Sequence, residues 1–522
     1  KKSGGITTSR LYSVMSSWEK AFSLIVSKIP QITYWVTFNK NGGDTEANPS
    51  AKEAISGGNV GRLPAPPTRS GYTFNGWNTQ ADGRGTVFTA TTPVAAPITV
   101  YAQWSKDSLD ESDDSFVDSG RTSTTSEGNV VTAITTVTAA LDGSKKAHTE
   151  VGLTQVSDAI RKALEEAEKQ GGGAVAKVQI KLEDSYGAES VEMTIPKEAV
   201  NQASEAEIGA LSISTPCGSI DFDADAISAL SKEAEGDLKV NISIVDASSI
   251  SHEAQRKVGD RPVLDLSVSI GDKTIGEFGG QVLVSVPYAA KEGEDTNCIV
   301  AYRINDSGDL QVIPNCTYDL ARGMLMFRTT HFSLYAVGYN KVGFEDVPQN
   351  AWYGKAISFI AAREISKGTG SGNFSPDADL TRGEFIVMLM RAYEILPDVE
   401  IEDNFADAGC TYYTGYLAAA KRLSISNGVG DNMFAPGKKI TRQEMFTLLY
   451  NALKVIGRLP EGSGGKPLLS FTDTDDIASW AKEAMSLLVE TGTISGSGGR
   501  LFPTSTTTRA EMAQVLYNML SK

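Results

Sequence analysis

Three stretches of this chain carry one signature in front of an apolar helix: LTRGEFIVMLM from Leu380, ITRQEMFTLLY from Ile440 and TTRAEMAQVLY from Thr507. Each belongs to a longer unit. The unit opens on Phe-x-Asp (Phe344/Asp346, Phe405/Asp407, Phe471/Asp473) and continues in a helix with an aromatic near its start (Trp352, Tyr413, Trp480). It then passes through Ile-Ser, a glycine-rich loop, Phe and Pro to Thr-Arg-x-Glu. From the opening Phe to that Thr the spacing is 37, 36 and 37 residues, whereas successive units start 61 and 66 residues apart. A constant interior with variable joints defines a helix–loop–helix unit repeated three times. Everything past Lys341 thereby reads as amphipathic helices in three helix–loop–helix repeats.

Thr-x-x-Glu ahead of an apolar run is a capping box, in which the Thr hydroxyl accepts from the third helical amide and the Glu reaches back to the Thr amide. That accounts for Thr381/Glu384, Thr441/Glu444 and Thr508/Glu511. Arg382, Arg442 and Arg509 are left over, because a cation at the first helical position faces the positive end of the helix dipole. A guanidinium beside a helix N-terminus is a receptor for carboxylate or phosphate. The competing explanation is an arginine paired with an acid of the next repeat. The glycine-rich loops (GTGSGNF, GVGDNMF, GSGGRLF) offer a ligand close approach to the backbone.

On these residues the three units resemble S-layer homology domains, over 341–400, 401–462 and 463–522. The resemblance implies a three-fold helical bundle whose grooves bind peptidoglycan-linked secondary cell wall polysaccharide, typically through pyruvylated amino sugars. Carried over, it implies that Arg382, Arg442 and Arg509 grip the acidic groups. Asp346, Asp407 and Asp473, with Trp352 and Trp480, would line or brace the grooves. The second unit has Tyr413 where a Trp is usual, and the third is one residue shorter between Phe502 and Thr508.

Residues 35–104 read as a small β domain: YWVTFNKNGG alternates apolar and polar residues into a turn, and short aromatic strands follow. Its expected core is Phe38, Tyr72, Phe74, Trp77 and Trp104. The motifs VTFNKNGG, PTRSGYTFNGW and ITVYAQW resemble the Listeria–Bacteroides repeat, the internalin B-type repeat, which implies a β-grasp-like spacer or adhesion module. Ahead of it, 1–34 contains an amphipathic stripe (Leu11, Val14, Met15, Trp18, Phe22, Ile25, Ile29) that predicts a helix or arm packing on the protein itself or a neighbouring subunit, against membrane contact. Behind it, 105–128 is acidic and rich in Ser and Thr, a solvated linker.

From 129 to 340 strand patterns dominate, broken by one strong helix, TQVSDAIRKALEEAEKQ, and shorter ones near 198–203 and 224–233; the expectation is a β-rich, sandwich-like region. Cys298 and Cys316 are symmetric about a turn at 306–308, so a hairpin would set them face to face, as a disulfide or as two free thiols. His331 and Ser333 in THFSLY are a candidate self-cleavage pair, against a buried core histidine. Asp221, Asp223 and Asp225 in DFDADA are candidate Ca²⁺ ligands, against plain solvated acids. No cofactor is otherwise implied.

The formal charge of −16, from 48 basic against 64 acidic residues, excludes general nucleic-acid binding, which needs a basic face. No apolar run reaches the ~20 residues of a membrane span. The chain begins at Lys1, which reads as a processed product or a fragment. The leading expectation is a secreted, non-enzymatic surface protein of a Gram-positive-type bacterium, part of or attached to an S-layer, with self-association in a lattice or an adhesive role. The alternative is a wall-anchored polysaccharide hydrolase, or a self-cleaving surface protein, with its activity in 129–340.

Overall fold

The alternation in YWVTFNK is that of a strand with one buried face, and Val36 and Phe38 are its inward residues in a computed structural model of the chain. That structure describes residues 33–106 and 122–521, except positions 62, 71, 84, 91, 184, 186, 234, 235, 349, 461 and 463. The amphipathic stripe at 11–29 and most of the linker lie outside the described residues.

The first unit is a sheet of β1 (Thr33–Asn39), β2 (Ala51–Ile55), β3 (Tyr72–Asn78), β4 (Val87–Phe88) and β5 (Ile98–Lys106), in the order β2-β1-β5-β3-β4. Only β1 and β5 run parallel. Phe38 meets Trp77 edge-on at 4.9 Å over Val36, Phe88, Val100 and Ala102, and Phe74 and Trp104 close the side. Trp104 donates to the Lys40 carbonyl (3.0 Å), and a Cβ on Gly43 would stand 2.7 Å from its ring, which explains the glycine there. Tyr72 is not core as expected. It is half-buried, with the Arg69 guanidinium stacked 3.7 Å from its ring centre. No helix crosses this sheet among the described residues.

The second unit begins with β6 (Ser123–Glu127), β7 (Val130–Thr138), β8 (Lys146–Glu150), α1 (Leu153–Gln170), β9 (Val175–Glu183), β10 (Ser190–Ile195), α2 (Lys197–Glu205), β11 (Ala210–Thr215), β12 (Gly218–Asp223) and α3 (Ala224–Lys232). It continues through β13 (Leu238–Val245), α4 (His252–Val258), β14 (Val263–Ile270), β15 (Lys273–Thr274), β16 (Glu277–Pro287), β17 (Ile299–Ile304), β18 (Leu310–Ile313), β19 (Thr317–Asp319), β20 (Met324–His331) and β21 (Leu334–Tyr339). Two sheets result, β19-β20-β16-β12-β11-β9-β7-β6 and β18-β17-β21-β14-β13-β10-β8, with β15 on β14. The chain visits one sheet, then the other, then a helix, so β7, β9 and β11 are parallel neighbours, as are β8 and β10. β7 and β9 bury alternate residues, and α1 lays Val156, Ala159, Ile160, Ala163 and Ala167 against them. One apolar core joins both sheets and the helices. β6 is exposed throughout and pairs with β7 as an edge strand, so the polar end of the expected linker belongs to the sheet.

In the β17–β18 hairpin Ala301 stands opposite Ile313, the register that the cysteine symmetry implies. Cys298 and Cys316 are nevertheless free and buried; the Cys316 sulfur accepts the Ala301 amide at 3.3 Å, and burial pushes the Cys298 thiol up to about 12.

The helical region contributes two helices per repeat: α5 (Gly354–Ala362) and α6 (Arg382–Ala392), α7 (Thr414–Arg422) and α8 (Arg442–Val455), α9 (Lys482–Glu490) and α10 (Arg509–Leu520). The first helix of each repeat packs on the second helix of the preceding one: α7 on α6, α9 on α8, and α5 on α10. The three repeats therefore close into a ring around one apolar core.

Candidate functional site

The ring is built at the N-termini of α6, α8 and α10. Both halves of the capping box form at each: Thr381, Thr441 and Thr508 receive the amides of Glu384, Glu444 and Glu511, whose carboxylates accept back from the Thr amides at 2.8–2.9 Å. The next two amides point into the neighbouring repeat. Arg382 and Gly383 donate to the carbonyls of Lys438 and Pro436, Arg442 and Gln443 to Ser505 and Pro503, and Arg509 and Ala510 to Ala378 and Pro376, all at 2.9–3.0 Å. Every orphan amide of a helix start is thus already used. The expected anion receptor made from these N-termini is not present; they join repeats instead.

The arginines do the same work. Arg382 donates through Nε to the Phe434 carbonyl (2.9 Å), pairs with Glu444 at 3.2 Å and lies 4.6 Å from the Phe434 ring centre. Arg509 donates to the Phe374 carbonyl (2.8 Å), pairs with Glu384 at 3.0 Å and lies 4.9 Å from the Phe374 ring. Both are buried, at 3% and 4% exposure. A cation at the first helical position is tolerated here because it reaches across to an acid rather than facing its own dipole. Arg442 departs from the pattern. It donates to the Leu501 carbonyl (2.9 Å), but the position of the two phenylalanines is now Leu501 and no ion pair to Glu511 forms. It is half-buried, 5.4 Å from the ring of Phe446 on its own helix.

The opening aspartates clamp the loops, the bracing one of the two roles expected of them. Asp346 accepts the amides of Phe374 and Ser375, Asp407 those of Phe434 and Ala435, and Asp473 those of Leu501 and Phe502, at 2.7–3.1 Å. Burial raises the carboxyl pKa of Asp346 and Asp473, and the amides outweigh it and hold both below the usual value. These bonds also correct the alignment. Leu501, not Phe502, is the equivalent of Phe374 and Phe434, and Ser375, Ala435 and Phe502 share a φ of 54–59°. The missing residue of repeat 3 therefore lies in the glycine loop. Those loops fold on themselves: a Cβ on Gly368, Gly428 or Gly496 would meet a carbonyl oxygen of its own loop at 2.3–2.4 Å.

At the start of the first helix of each repeat a large aromatic stands in water: Trp352, Tyr412 and Trp480, exposed by 63%, 61% and 55%. Tyr413 is the residue capping α7, equivalent to Tyr353 and Ala481, so the aromatic of the second repeat is Tyr412. Counting back from the helix start, rather than taking the nearest aromatic to it, finds Tyr412 in the sequence. Glu384 and Arg509 both influence the Tyr412 hydroxyl, whose pKa partial burial and Glu384 raise.

Elsewhere the candidate sites come apart. His331 Nε2 faces Arg303 at 3.2 Å while Ser333 donates to the Ile304 carbonyl at 3.0 Å, so the pair proposed for self-cleavage is not assembled. Asp221 holds Lys177 and Ser212, Asp223 caps α3 and accepts the Gln281 amide, and Asp225 lies in the first turn of α3. These three carboxylates do not converge, and no group of three or more metal-ligating side chains occurs among the described residues. No described helix is long and apolar enough to cross a membrane.

Comparison with known proteins agrees with the architecture. Residues 34–103 match the Listeria-Bacteroides repeat domain, and 343–386, 404–446 and 470–513 match the S-layer homology domain. The chain carries one of the first and three of the second. It is 33% identical over 173 residues to the S-layer protein sap of Bacillus anthracis, covering 33% of this chain and 20% of that protein. An amylopullulanase of Thermoanaerobacterium thermosulfurigenes is 27% identical over 260 residues, 49% of this chain and 14% of its own length. An exoglucanase XynX of Acetivibrio thermocellus is 31% identical over 183 residues, 35% of this chain and 16% of its own. The chain thus spans a fifth or less of each of these relatives. The amylopullulanase match is longer than the helical triplet and reaches into the β-rich region.

Proposed function

We propose that the helical ring holds this protein on a bacterial cell wall without a covalent bond, by gripping the peptidoglycan-linked secondary polysaccharide. The two β-rich parts then extend from the wall as spacer, lattice or adhesive modules, the smaller one as a β-grasp-like unit. Three S-layer homology domains and the likeness to S-layer proteins support this reading. The observation that carries it is the exposure of Trp352, Tyr412 and Trp480 on a ring whose helix N-termini are already occupied. A flat ring in water offers the C–H face of a sugar an apolar surface on which to lose its hydration. Arg442, which lacks an ion pair, is the guanidinium most able to meet a pyruvate carboxylate; Arg382 and Arg509 act by fixing the seams.

Retention on purified sacculi tests the idea. Trp352→Ala with Trp480→Ala should weaken it about tenfold, a loss of ~1.4 kcal/mol. Undiminished retention, or equal retention on sacculi stripped of the polysaccharide, would refute it. A wall-anchored hydrolase rests on the names of three relatives, the amylopullulanase, the exoglucanase and an uncharacterized cell wall amidase of Bacillus anthracis, each matched over a third or less of its own length. Clearing of a cell-wall suspension by the pure protein would establish that reading. Ordered sheets in electron micrographs would favour the lattice role over the adhesive one.

A further inference from the structure

Between the β sandwich and the first two helical repeats lies a cavity of about 880 Å³. β17, β18 and β20 form one wall; the ends of α6 and α8, with Tyr416 of α7, form the other. Arg303, Arg328, Arg363, Arg391, Arg458 and Lys367 line it, against the carboxylates of Glu364 and Glu394. In a chain of formal charge −16 this excess of cations is out of keeping with the rest of the molecule.

Most of these groups have structural employment. Lys367 pairs with Glu364 at 3.0 Å. Arg363, fully buried, donates to the carbonyls of Cys316, Asn297, Ile299 and Phe359 and so fastens the first repeat to the sandwich. Arg303 holds Gln311 and the Nε2 of His331; a guanidinium only donates, so that nitrogen accepts and the imidazole is neutral. Arg391 donates to the Tyr416 hydroxyl at 3.3 Å.

Arg328 and Arg458 remain. Neither side chain has a hydrogen bond or an ion pair among the described residues. Burial and the like charge of Arg458 both lower the pKa of the Arg328 guanidinium, against the pull of Asp223 and Asp221. Arg458 lies 5.7 Å from the ring of Tyr393, which is 8% exposed and whose buried hydroxyl has no hydrogen-bond partner. Two unpaired guanidinium groups and an orphaned phenol in one cavity are costly as pure architecture. They are the donors that a ligand with several anionic oxygens needs.

We propose that this cavity binds an oxyanion-bearing ligand, a saccharide or polyol carrying phosphate or carboxylate, through Arg328, Arg458 and the Tyr393 hydroxyl. The site is separate from the exposed aromatics of the ring and does not depend on the wall-binding reading. Glu394 faces it, bonded to Asn315, with burial pushing its carboxyl up to about 7 while Arg303 and Arg458 pull it down. Part of Glu394 stays open to solvent, which screens that penalty. Arg303, Arg328, Arg363, Arg391, Arg458 and Lys367, Glu364, the phenols of Tyr335, Tyr393 and Tyr416 and the neutral His331 are the other charged or titratable groups that line the cavity. Protonating Glu394 removes a negative charge facing the ligand, so binding strengthens as pH falls through about 7.

Titration calorimetry of the full chain with inorganic pyrophosphate and with an oligogalacturonate tests the proposal. At least one probe should bind, and Arg328→Gln and Arg458→Gln should each weaken it tenfold or more, with Tyr393→Phe weakening it less. Binding of pyrophosphate alone assigns phosphate, and of the uronate alone carboxylate. Without ligand, Arg328→Gln should unfold at a higher temperature than the parent, since it removes a partly buried cation that has no partner and is opposed by the like charge of Arg458. Silence from both probes at millimolar concentration, or unchanged affinity in the well-folded arginine variants, overturns the proposal. Retention of the same variants on sacculi should be unchanged, which separates this site from the wall-binding one.

Discussion

At the seams of the helical ring Arg382 and Arg509 each find a carbonyl, a carboxylate and a phenyl ring in the next repeat. In the cavity against the β sandwich, Arg328 has the like charge of Arg458 acting on it and Arg458 has only a tyrosine ring beside it. The same side chain is thus a rivet in one place and an unsatisfied charge in the other. Burial alone does not separate the two roles; the partners do. A guanidinium with all its donors matched adds to stability, and one left unmatched subtracts from it until a ligand arrives.

The comparison breaks most readily at the seams. Arg382→Ala leaves the Phe434 carbonyl without its donor and Glu444 with Lys438 as its remaining cation, and should cost about 2–3 kcal/mol in urea unfolding monitored by circular dichroism. Arg442→Ala, which loses one carbonyl contact and no ion pair, should cost about 1–2 kcal/mol. Equal losses would show that the seam between repeats 2 and 3 is closed like the others.

Acid should sharpen the contrast next. Asp346 and Asp473 have carboxyl pKa values held below the ordinary 3.8, so their stabilisation is complete above that pH and is lost as pH falls through the lower folded value. Thermal unfolding of the helical region should therefore weaken below about pH 4, and Asp473→Asn should flatten that dependence. Smallest of all is Trp352→Ala, which removes a ring 63% exposed and should move stability by no more than about 0.5 kcal/mol while reducing retention on sacculi.

The sequence disclosed the repeat, its caps and the oddity of the arginines, because each is written within forty residues. It did not disclose where the arginines point. Phe434 and Glu444 lie more than fifty residues beyond Arg382, and only ring closure brings Phe374 to Arg509. Phe502 stood in for Leu501 because a large apolar residue before a proline reads alike in either register. In the sandwich the long alternating strands were legible, but SVEMTI, ALSIST and GSIDFD, short and rich in small or polar residues, were not. The cavity left no local signal, since its two unpaired arginines sit 130 positions apart.

Closure of the ring also bears on copy number. Open solenoids lengthen by duplication because each new unit presents the same free face that its parent did. Here the last repeat returns to the first through Arg509, Phe374 and Glu384, and no such face is left over. A fourth unit gained by recombination would have to sever that return, so this arrangement is one that can be inherited whole or lost, but not extended.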